Sequence, residues 1–167
     1  MNLSKKKEFI EKYNKKIPQI ISNKFIADTD TPVSALIKIS INAKIYHLEV
    51  PLIGYFQVKN LFMAILAASL CGLNKNRIFN QLHKIKPVPG RLECVASLNN
   101  HSNIVVDFAH TPDALEQSLI ALKKQFKSEI IIVFGCGGER DKKKRYAMGK
   151  IASKYCRKIF VTDDNPR

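Results

Sequence analysis

Three clusters of polar residues in this sequence could do chemistry, and each follows an apolar stretch. They occupy residues 107–113, 135–145 and 163–167. Carboxylates and amides in such clusters accept hydrogen bonds from ammonium and hydroxyl groups, whereas arginine binds the oxygens of carboxylates and phosphates in pairs. Ligands of open α/β sheets bind at the carboxyl ends of the strands, so we predict that function is concentrated in these three loops.

The second cluster begins with the glycine-rich stretch GCGG at residues 135–138 and continues into a basic run at residues 140–145. Glycine lets the backbone approach a ligand closely, as phosphate-binding loops require. The stretch is not a Walker A loop, because nothing in the chain matches G-x-x-x-x-G-K-[ST]. By itself the glycine pattern leaves a phosphate site and a plain tight turn equally open.

The composition restricts the classes of function to consider. With 28 Lys and Arg against 14 Asp and Glu, the formal net charge is +14, which would ordinarily suggest a nucleic acid or another polyanion as partner. The charge is diffuse and no RNA- or DNA-binding module is recognisable, so no nucleic-acid partner is expected. The four cysteines lie far apart with no C-x-x-C pair, and neither a metal site nor a disulfide framework is predicted.

Length and hydropathy set the remaining limits. A chain of 167 residues with 46% hydrophobic side chains can bury one sizeable core or parts of two. No stretch reaches the ~20 apolar residues of a membrane span, and the N-terminus lacks the apolar region of a signal peptide. We therefore expect no membrane association and a cytoplasmic location.

The elements that must position the clusters follow from hydrophobic periodicity. In the first half, residues 1–24 carry a weakly amphipathic helical pattern, and residues 25–51 alternate as antiparallel strands with a turn at residues 42–43. Residues 58–71 predict a helix buried on most of its circumference, and residues 78–85 predict a second helix.

The second half begins at the best domain boundary, residues 87–90, where prolines interrupt the helical pattern. Strands are predicted at residues 92–98, 104–106, 130–134 and 159–161. Thr111 can cap a helix that begins at Pro112, and another helix runs through Met148 and Ala152. The run at 130–134 is apolar throughout, as in a buried parallel strand. These elements predict an α/β chain.

Four motifs, taken in order, resemble one family. They read GRLE at residues 90–93, DFAHTPDAL at 107–115, GCGGERD at 135–141 and DDNPR at 163–167. Together they resemble the Mur ligases of cell-wall synthesis, most closely the members that add meso-diaminopimelate, and the similarity runs from about residue 52 to the last residue. The resemblance implies that residues 1–89 close the central ATPase domain and that residues 90–167 begin a Rossmann-like C-terminal domain.

The resemblance implies four residues at the ATP: Asn60, Arg91, Asp107 and His110. The Asn60 amide can pair with the adenine edge, although a helix N-cap is an alternative reading of that residue. An arginine such as Arg91 forks onto phosphate oxygens. Asp107 can accept ribose hydroxyls, and His110 can donate to phosphate. Gln57 departs from the family pattern, which has asparagine there.

For the amino acid, the resemblance implies contacts from Arg140, Asp164, Asn165, Pro166 and Arg167. Meso-diaminopimelate carries two ammonium and two carboxylate groups, and arginine can clamp a carboxylate while Asp and Asn side chains receive ammonium. Arg167 would pair with the distal carboxylate, which lysine lacks. The resemblance therefore favours diaminopimelate over lysine.

In the implied reaction, the γ-phosphoryl group of ATP passes to the side-chain carboxylate of D-glutamate in UDP-N-acetylmuramoyl-L-alanyl-D-glutamate, and the amine of diaminopimelate attacks the acyl phosphate. The sequence has no P-loop, no Mg²⁺ ligands of the family and no domain for the UDP-sugar. No catalytic residue and no metal ligand is therefore assigned, and the Mg²⁺ ligands are expected mainly in an N-terminal part beyond this sequence.

A partial chain, inactive alone and with exposed apolar strand edges and helix faces, is thus expected. Two alternatives stay open. One is a non-catalytic remnant or half-protein that binds nucleotide or amino acid, or that assembles with a separately encoded N-terminal half as partner. The less favoured one is a basic nucleic-acid-binding protein, whose affinity would fall steeply with salt.

Overall fold

In the computed structural model, the described residues are 19–26, 34–41, 44–99, 102–137 and 142–163. Their strands are β1 (Gln19–Ile26), β2 (Ser34–Ile41), β3 (Lys44–Val50), β4 (Glu93–Ser97), β5 (Asn103–Val106), β6 (Ile131–Phe134) and β7 (Lys158–Val161). Their helices are α1 (Tyr55–Leu70), α2 (Lys75–Phe79), α3 (Pro112–Phe126) and α4 (Lys142–Tyr155), with a 3₁₀ turn at Leu82–Lys84. Within this part of the chain, one compact unit runs to Lys86 and a second begins at Pro87.

The first unit is built on an antiparallel sheet in the order β1-β2-β3. The pairing of β2 with β3 confirms the antiparallel strands predicted there, while the predicted turn at residues 42–43 lies outside the described residues. The predicted helical pattern over residues 1–24 is wrong for residues 19–24, which pair with β2 as a strand; residues 1–18 lie outside the description. A short helix is only marginally stable in isolation, whereas residues that pair as a strand gain backbone hydrogen bonds to the neighbouring strand along their length.

The core of the first unit lies between this sheet and α1. Ala35, Ile37 and Ile39 alternate along β2 and are buried, in one cluster with Val58 and Ile65 of α1. Successive side chains of a strand point to opposite faces, so one face of β2 supplies the sheet's contribution to this core.

Helix α1 confirms the predicted helix but not its predicted burial. Only Val58 and Ile65 are buried along it, and Leu70 is 80% exposed. A helix that is apolar all round has more apolar surface than a single sheet can cover. An apolar groove of about 440 Å³ also opens beside it, lined by Leu61, Ala64, Ile65, Ala68, Leu73, Arg77, Ile78, Gln81, Leu82 and Ile85.

The second helix predicted in this unit, over residues 78–85, is instead the short α2 followed by the 3₁₀ turn. Asn74 caps α2, its side-chain oxygen accepting a hydrogen bond from the Asn76 backbone N–H at 2.9 Å. A cap at this position starts the helix earlier than the apolar stripe indicates.

The second unit contains a β-α-β arrangement, which confirms the α/β class. β6 and β7 pair in parallel with α4 between them in sequence, and β4 pairs antiparallel with β5. Helices α3 and α4 pack on β6 through Leu115, Leu119 and Met148, which cluster with Ile132 and Phe134. A parallel pair needs such a crossover, since a tight turn cannot return the chain to the same end.

One expectation for β6 is wrong. Its apolar run predicts burial on both faces, yet Ile131 and Val133 are exposed, the latter by 68%, and Phe160 of β7 is exposed as well. The helices described in this unit cover the face that carries Ile132 and Phe134. The opposite face is therefore an apolar surface in contact with solvent.

Candidate nucleotide-binding site

The turn that carries Arg91 has an unusual backbone. Gly90 and Leu92 both adopt positive φ angles, 67° and 45°, and the Gly90 N–H donates to Oε2 of Glu93 at 2.8 Å. Leu92 is only 1% exposed, so its side chain is anchored in the interior. Between these two residues Arg91 is exposed. The turn thus fixes the backbone on both sides of a solvent-facing guanidinium.

Asp107 follows β5 directly and connects this turn to α3. Its Oδ1 accepts a hydrogen bond from the Leu92 backbone N–H at 3.1 Å, and its Oδ2 accepts one from the Ser118 hydroxyl at 2.6 Å. A carboxylate offers about four acceptor positions, so two further hydrogen bonds remain available to a ligand. Asp107 is half-buried, and that exposure leaves room for such a bond.

Phe108 lies next to Asp107 and is 64% exposed. The Arg91 guanidinium carbon is 5.2 Å from the centroid of its ring, and the His110 ring meets it edge-on with centroids 5.5 Å apart. A cation over an aromatic face is attracted by the ring's quadrupole. The three side chains form one surface, which we name the Arg91–Phe108–His110 cluster.

Phe108 is a member of this cluster that the sequence reasoning did not single out. Phe108 belongs to the motif at residues 107–115, but the motif predicts ligand contacts only for its polar residues Asp107 and His110. Its position between Asp107 and His110, in a loop rather than in a core-facing stripe, was the available signal. An exposed aromatic ring in such a loop can stack on a purine base.

His110 is oriented by the backbone of its own loop. Its Nδ1 lies 3.1 Å from the Phe108 carbonyl oxygen. A carbonyl can only accept, so this contact places the proton on Nδ1, and Nε2 of the neutral ring is then an acceptor. The carbonyl of His110 in turn accepts a hydrogen bond from Lys144 Nζ at 3.2 Å. The first turn of α4 is thereby tied to the loop after β5.

Helix α3 starts directly after this loop, as predicted. Thr111 is its N-cap, the Thr111 side-chain oxygen accepting from the Ala114 N–H at 3.3 Å, and Pro112 is its first residue. The missing N–H of proline is harmless at that position. The cap fixes where the loop ends and therefore where His110 lies.

Asn60 lies in the first unit, on α1, where it is exposed. The N-cap of that helix is Gly54, so the alternative reading of Asn60 as a helix N-cap is wrong. Gln57, which departs from the family pattern, lies on the first turn of the same helix and is half-buried.

The residues expected to contact diaminopimelate, which are Arg140, Asp164, Asn165, Pro166 and Arg167, lie outside the described residues. The strands that precede them are adjacent. Phe134, the last residue of β6, accepts a backbone hydrogen bond from Thr162 N at 3.1 Å, just after the end of β7. The carboxyl ends of β6 and β7 therefore share one edge of the sheet.

Metal and membrane features can be stated for the described part of the chain. There, no group of three or more His, Cys, Asp and Glu side chains could hold a metal ion. None of the helices in the same ranges combines the length and apolar character needed to cross a bilayer.

The second unit, with its parallel β-α-β arrangement, has counterparts among known proteins. Residues 90–167 match the family described as Mur ligase, glutamate ligase domain, so this part of the chain belongs to that family. The chain is 46% identical over 128 residues to the UDP-N-acetylmuramoyl-L-alanyl-D-glutamate–2,6-diaminopimelate ligase of Rickettsia typhi. The matched segment covers 75% of this chain and 25% of that protein.

Solved structures of related ligases are also similar to this chain. A ligase of the same description superposes with a TM-score of 0.56 at 36% identity, covering 80% of this chain and 27% of that one. Mycobacterium tuberculosis folylpolyglutamate synthase complexed with ADP gives a TM-score of 0.63 at 16% identity over 88% of this chain and 31% of that one, which is a likeness of fold. The chain spans about a quarter of the length of the curated relatives it matches.

Proposed function

We propose that this chain supplies nucleotide-facing and amino-acid-facing surfaces of an ATP-dependent ligase that adds meso-diaminopimelate to UDP-N-acetylmuramoyl-L-alanyl-D-glutamate. The observation that carries the proposal is the Arg91–Phe108–His110 cluster, held beside Asp107 at the end of β5. The relatives named for this reaction, 44–47% identical to the chain, support the choice of substrate.

The cluster suits a nucleotide chemically. An exposed guanidinium can bind phosphate oxygens in pairs, an exposed aromatic ring can stack on a base, and the two remaining acceptor positions of Asp107 can receive ribose hydroxyls. Lys144 brings a further positive charge to the same loop. When bound, ATP would supply the phosphoryl group that activates the D-glutamate carboxylate, and these side chains would hold and orient it.

Four further assignments belong to the same proposal. Asn60 would contact the adenine, and Arg140, Asp164, Asn165, Pro166 and Arg167 would bind diaminopimelate. Residues 1–89 would be the end of the central ATPase domain, and residues 90–167 the beginning of the C-terminal domain. The P-loop, the Mg²⁺ site and the UDP-sugar site would come from an N-terminal part, continuous with this chain or separate from it, in the cytoplasm.

Calorimetric titration of the purified chain tests the proposal. Meso-diaminopimelate and lysine are each titrated with and without ATP and Mg²⁺. Saturable binding of diaminopimelate, and not of lysine, is expected because only diaminopimelate carries the distal carboxylate that Arg167 would pair. ADP is titrated in parallel to test the nucleotide surface alone.

Arg167→Ala is the informative variant, and Arg157→Ala, an exposed arginine bonded to Glu129, is the matched control. Loss of diaminopimelate binding in the first but not in the second supports the assignment. Equal binding of lysine and diaminopimelate would contradict the substrate, and a folded chain that binds none of the three ligands would favour a non-catalytic remnant.

A further inference from the structure

Two hydrogen bonds that share the Asp107 carboxylate join helix α3 to the turn that carries Arg91. The Ser118 hydroxyl donates to Oδ2 of Asp107 at 2.6 Å, and Oδ1 of the same carboxylate accepts from the Leu92 N–H at 3.1 Å. Ser118 is buried, with 6% of its surface exposed. The 2.6 Å separation is short, as expected for a hydroxyl bonded to a charged oxygen.

The second of these hydrogen bonds ends at Leu92, the strained residue of the turn. Leu92 has a φ of 45°, a left-handed conformation that is strained for a residue with a Cβ. Such strain persists only when the surroundings over-determine the backbone. Here the buried Leu92 side chain and the Asp107 carboxylate hold it from two sides.

The strain sits one residue from a solvent-facing side chain. Arg91 precedes Leu92 directly, so the φ of Leu92 helps set the direction in which the Arg91 backbone and guanidinium point. That guanidinium lies over the Phe108 ring at 5.2 Å. A backbone locked in this way pre-organises the side chain before any ligand arrives, which lowers the ordering cost of binding.

A purely local role for Ser118 would have another geometry. A buried serine within a helix can satisfy its hydroxyl on the carbonyl one turn earlier in the same helix. Ser118 instead donates out of α3 to a residue 11 positions earlier in the chain. The hydroxyl therefore acts on the loop rather than on its own helix.

We propose that Ser118 is a positioning residue of the nucleotide site. Through Asp107 it holds the left-handed Leu92, and through Leu92 it directs Arg91 toward the phosphates of a bound nucleotide. The inference rests on the proposed function, since it assigns Arg91 to that nucleotide. It predicts that Ser118 affects nucleotide affinity more strongly when Arg91 is present than when it is absent, with the remainder acting through Asp107 at the ribose.

A double-mutant cycle in the full 167-residue chain tests this, with ADP as the probe. Ser118→Ala is expected to weaken ADP binding about 10-fold, the effect of losing one hydrogen bond to a charged group. In an Arg91→Ala background the same change is expected to have a clearly smaller effect, so that the two losses are not additive. Ser153→Ala is the matched control, because its hydroxyl bonds Lys150 within its own helix, and its affinity should equal that of the parent chain.

Hydrogen exchange of the Leu92 amide is a second measurement, which needs no nucleotide. Its exchange is expected to accelerate in Ser118→Ala by a larger factor than the exchange of core amides in β6. If Ser118→Ala does not fold, Ser118→Cys replaces it, since a thiol has similar size and is a weaker donor.

The outcomes separate the two proposals. Additive losses in the cycle, or unchanged ADP affinity in Ser118→Ala, would overturn the positioning role. If the folded parent chain does not bind ADP, the proposed nucleotide site fails, and Leu92 exchange then decides the positioning role alone. Unchanged exchange would overturn it, and accelerated exchange would support a positioned Arg91 with another anionic ligand.

Discussion

At the scale of single residues, the candidate site depends on one aspartate with two partners. Asp107 was predicted as a ligand contact because of its motif, and the structure adds a role that the motif does not contain. Its carboxylate bonds the backbone of Leu92 and the hydroxyl of Ser118. Sequence could not reveal these bonds, because the partners are 15 and 11 positions away and neither residue type indicates such a contact.

Arg91 should not be replaceable by lysine. Arg91→Lys keeps the positive charge but loses the flat guanidinium over Phe108 and the paired hydrogen bonds to phosphate. We expect ADP binding to weaken about 10-fold, from the loss of about 1–2 kcal/mol of stacking and forked bonding. Arg77→Lys, at an exposed arginine of the first unit, should bind ADP as the parent chain does; equal losses in both variants would contradict a specific role for Arg91.

At the scale of elements, α3 begins where its cap dictates. Thr111→Ala removes the acceptor for the Ala114 N–H and is expected to lower the free energy of unfolding by about 1 kcal/mol. Thr111→Ser retains the oxygen and should remain within about 0.5 kcal/mol of the parent. Urea denaturation followed by far-ultraviolet circular dichroism measures both. A serine variant as unstable as the alanine variant would show that the methyl group, not the cap, matters.

Helices α3 and α4 are also joined by a carboxylate. The Tyr155 hydroxyl donates to Glu116 Oε1 at 2.7 Å and Lys154 Nζ donates to the same oxygen at 3.2 Å. The Tyr155 hydrogen bond, followed by that of Lys154, lowers the pKa of Glu116 below its usual range. A lowered pKa in the folded state stabilises the fold above the unfolded pKa, and this contribution is lost as pH falls through the folded value.

Tyr155→Phe should therefore lower the melting temperature at about pH 7, with a difference from the parent that shrinks toward about pH 3 as Glu116 becomes protonated. Thermal melts at several pH values measure it. Tyr146→Phe, at an exposed tyrosine of the same helix, should melt like the parent throughout. A Tyr155→Phe difference that does not depend on pH would exclude Glu116 as the partner responsible.

The strands show what periodicity can and cannot predict. The strand-like spacing over residues 25–51 correctly indicated antiparallel strands, and the cap residues correctly indicated α3. The continuous apolar run of β6 could not reveal which face the helices cover, because both faces carry apolar side chains. Residues 19–24 were misread because a weak helical stripe does not encode a distant pairing partner.

Ile132→Thr and Val133→Thr are adjacent, similar changes on opposite faces of β6. The first places a hydroxyl toward the helix-packed core and is expected to cost about 1–3 kcal/mol, whereas the second, on the exposed face, should cost at most about 0.5 kcal/mol. Urea denaturation of both variants measures the difference. Equal destabilisation would mean that the outer face of β6 is covered in solution.

At the scale of the whole molecule, we expect the solvent-exposed apolar surfaces, more than the net charge, to determine whether the chain associates with other chains. Leu70 on α1, the groove beside it and the outer face of β6 and β7 are all accessible. The positive charge, although large, is diffuse along the sequence. Exposed apolar patches of this kind mark surfaces that associate with other chains or with themselves.

Self-association through α1 is a measurable consequence. Leu70→Ser removes an 80% exposed leucine and is expected to weaken self-association about 30-fold, since burying one leucine contributes roughly 2 kcal/mol. Sedimentation velocity over a concentration series measures it. Lys59→Ser, at an exposed lysine of the same helix, should not weaken association; a Leu70→Ser chain that associates as strongly as the parent would place the contact elsewhere.

The bare outer face of β6 also affects how the strand finds its alignment. In most strands a slip of one residue is penalised because it exchanges an apolar face for a polar one. Residues 131–134 are apolar on both sides, so hydrophobicity distinguishes the correct alignment from a slipped one only weakly. The information that selects the register must lie at the ends of the ladder, where Arg157 N bonds the carbonyl of Ile130 and Thr162 N bonds that of Phe134.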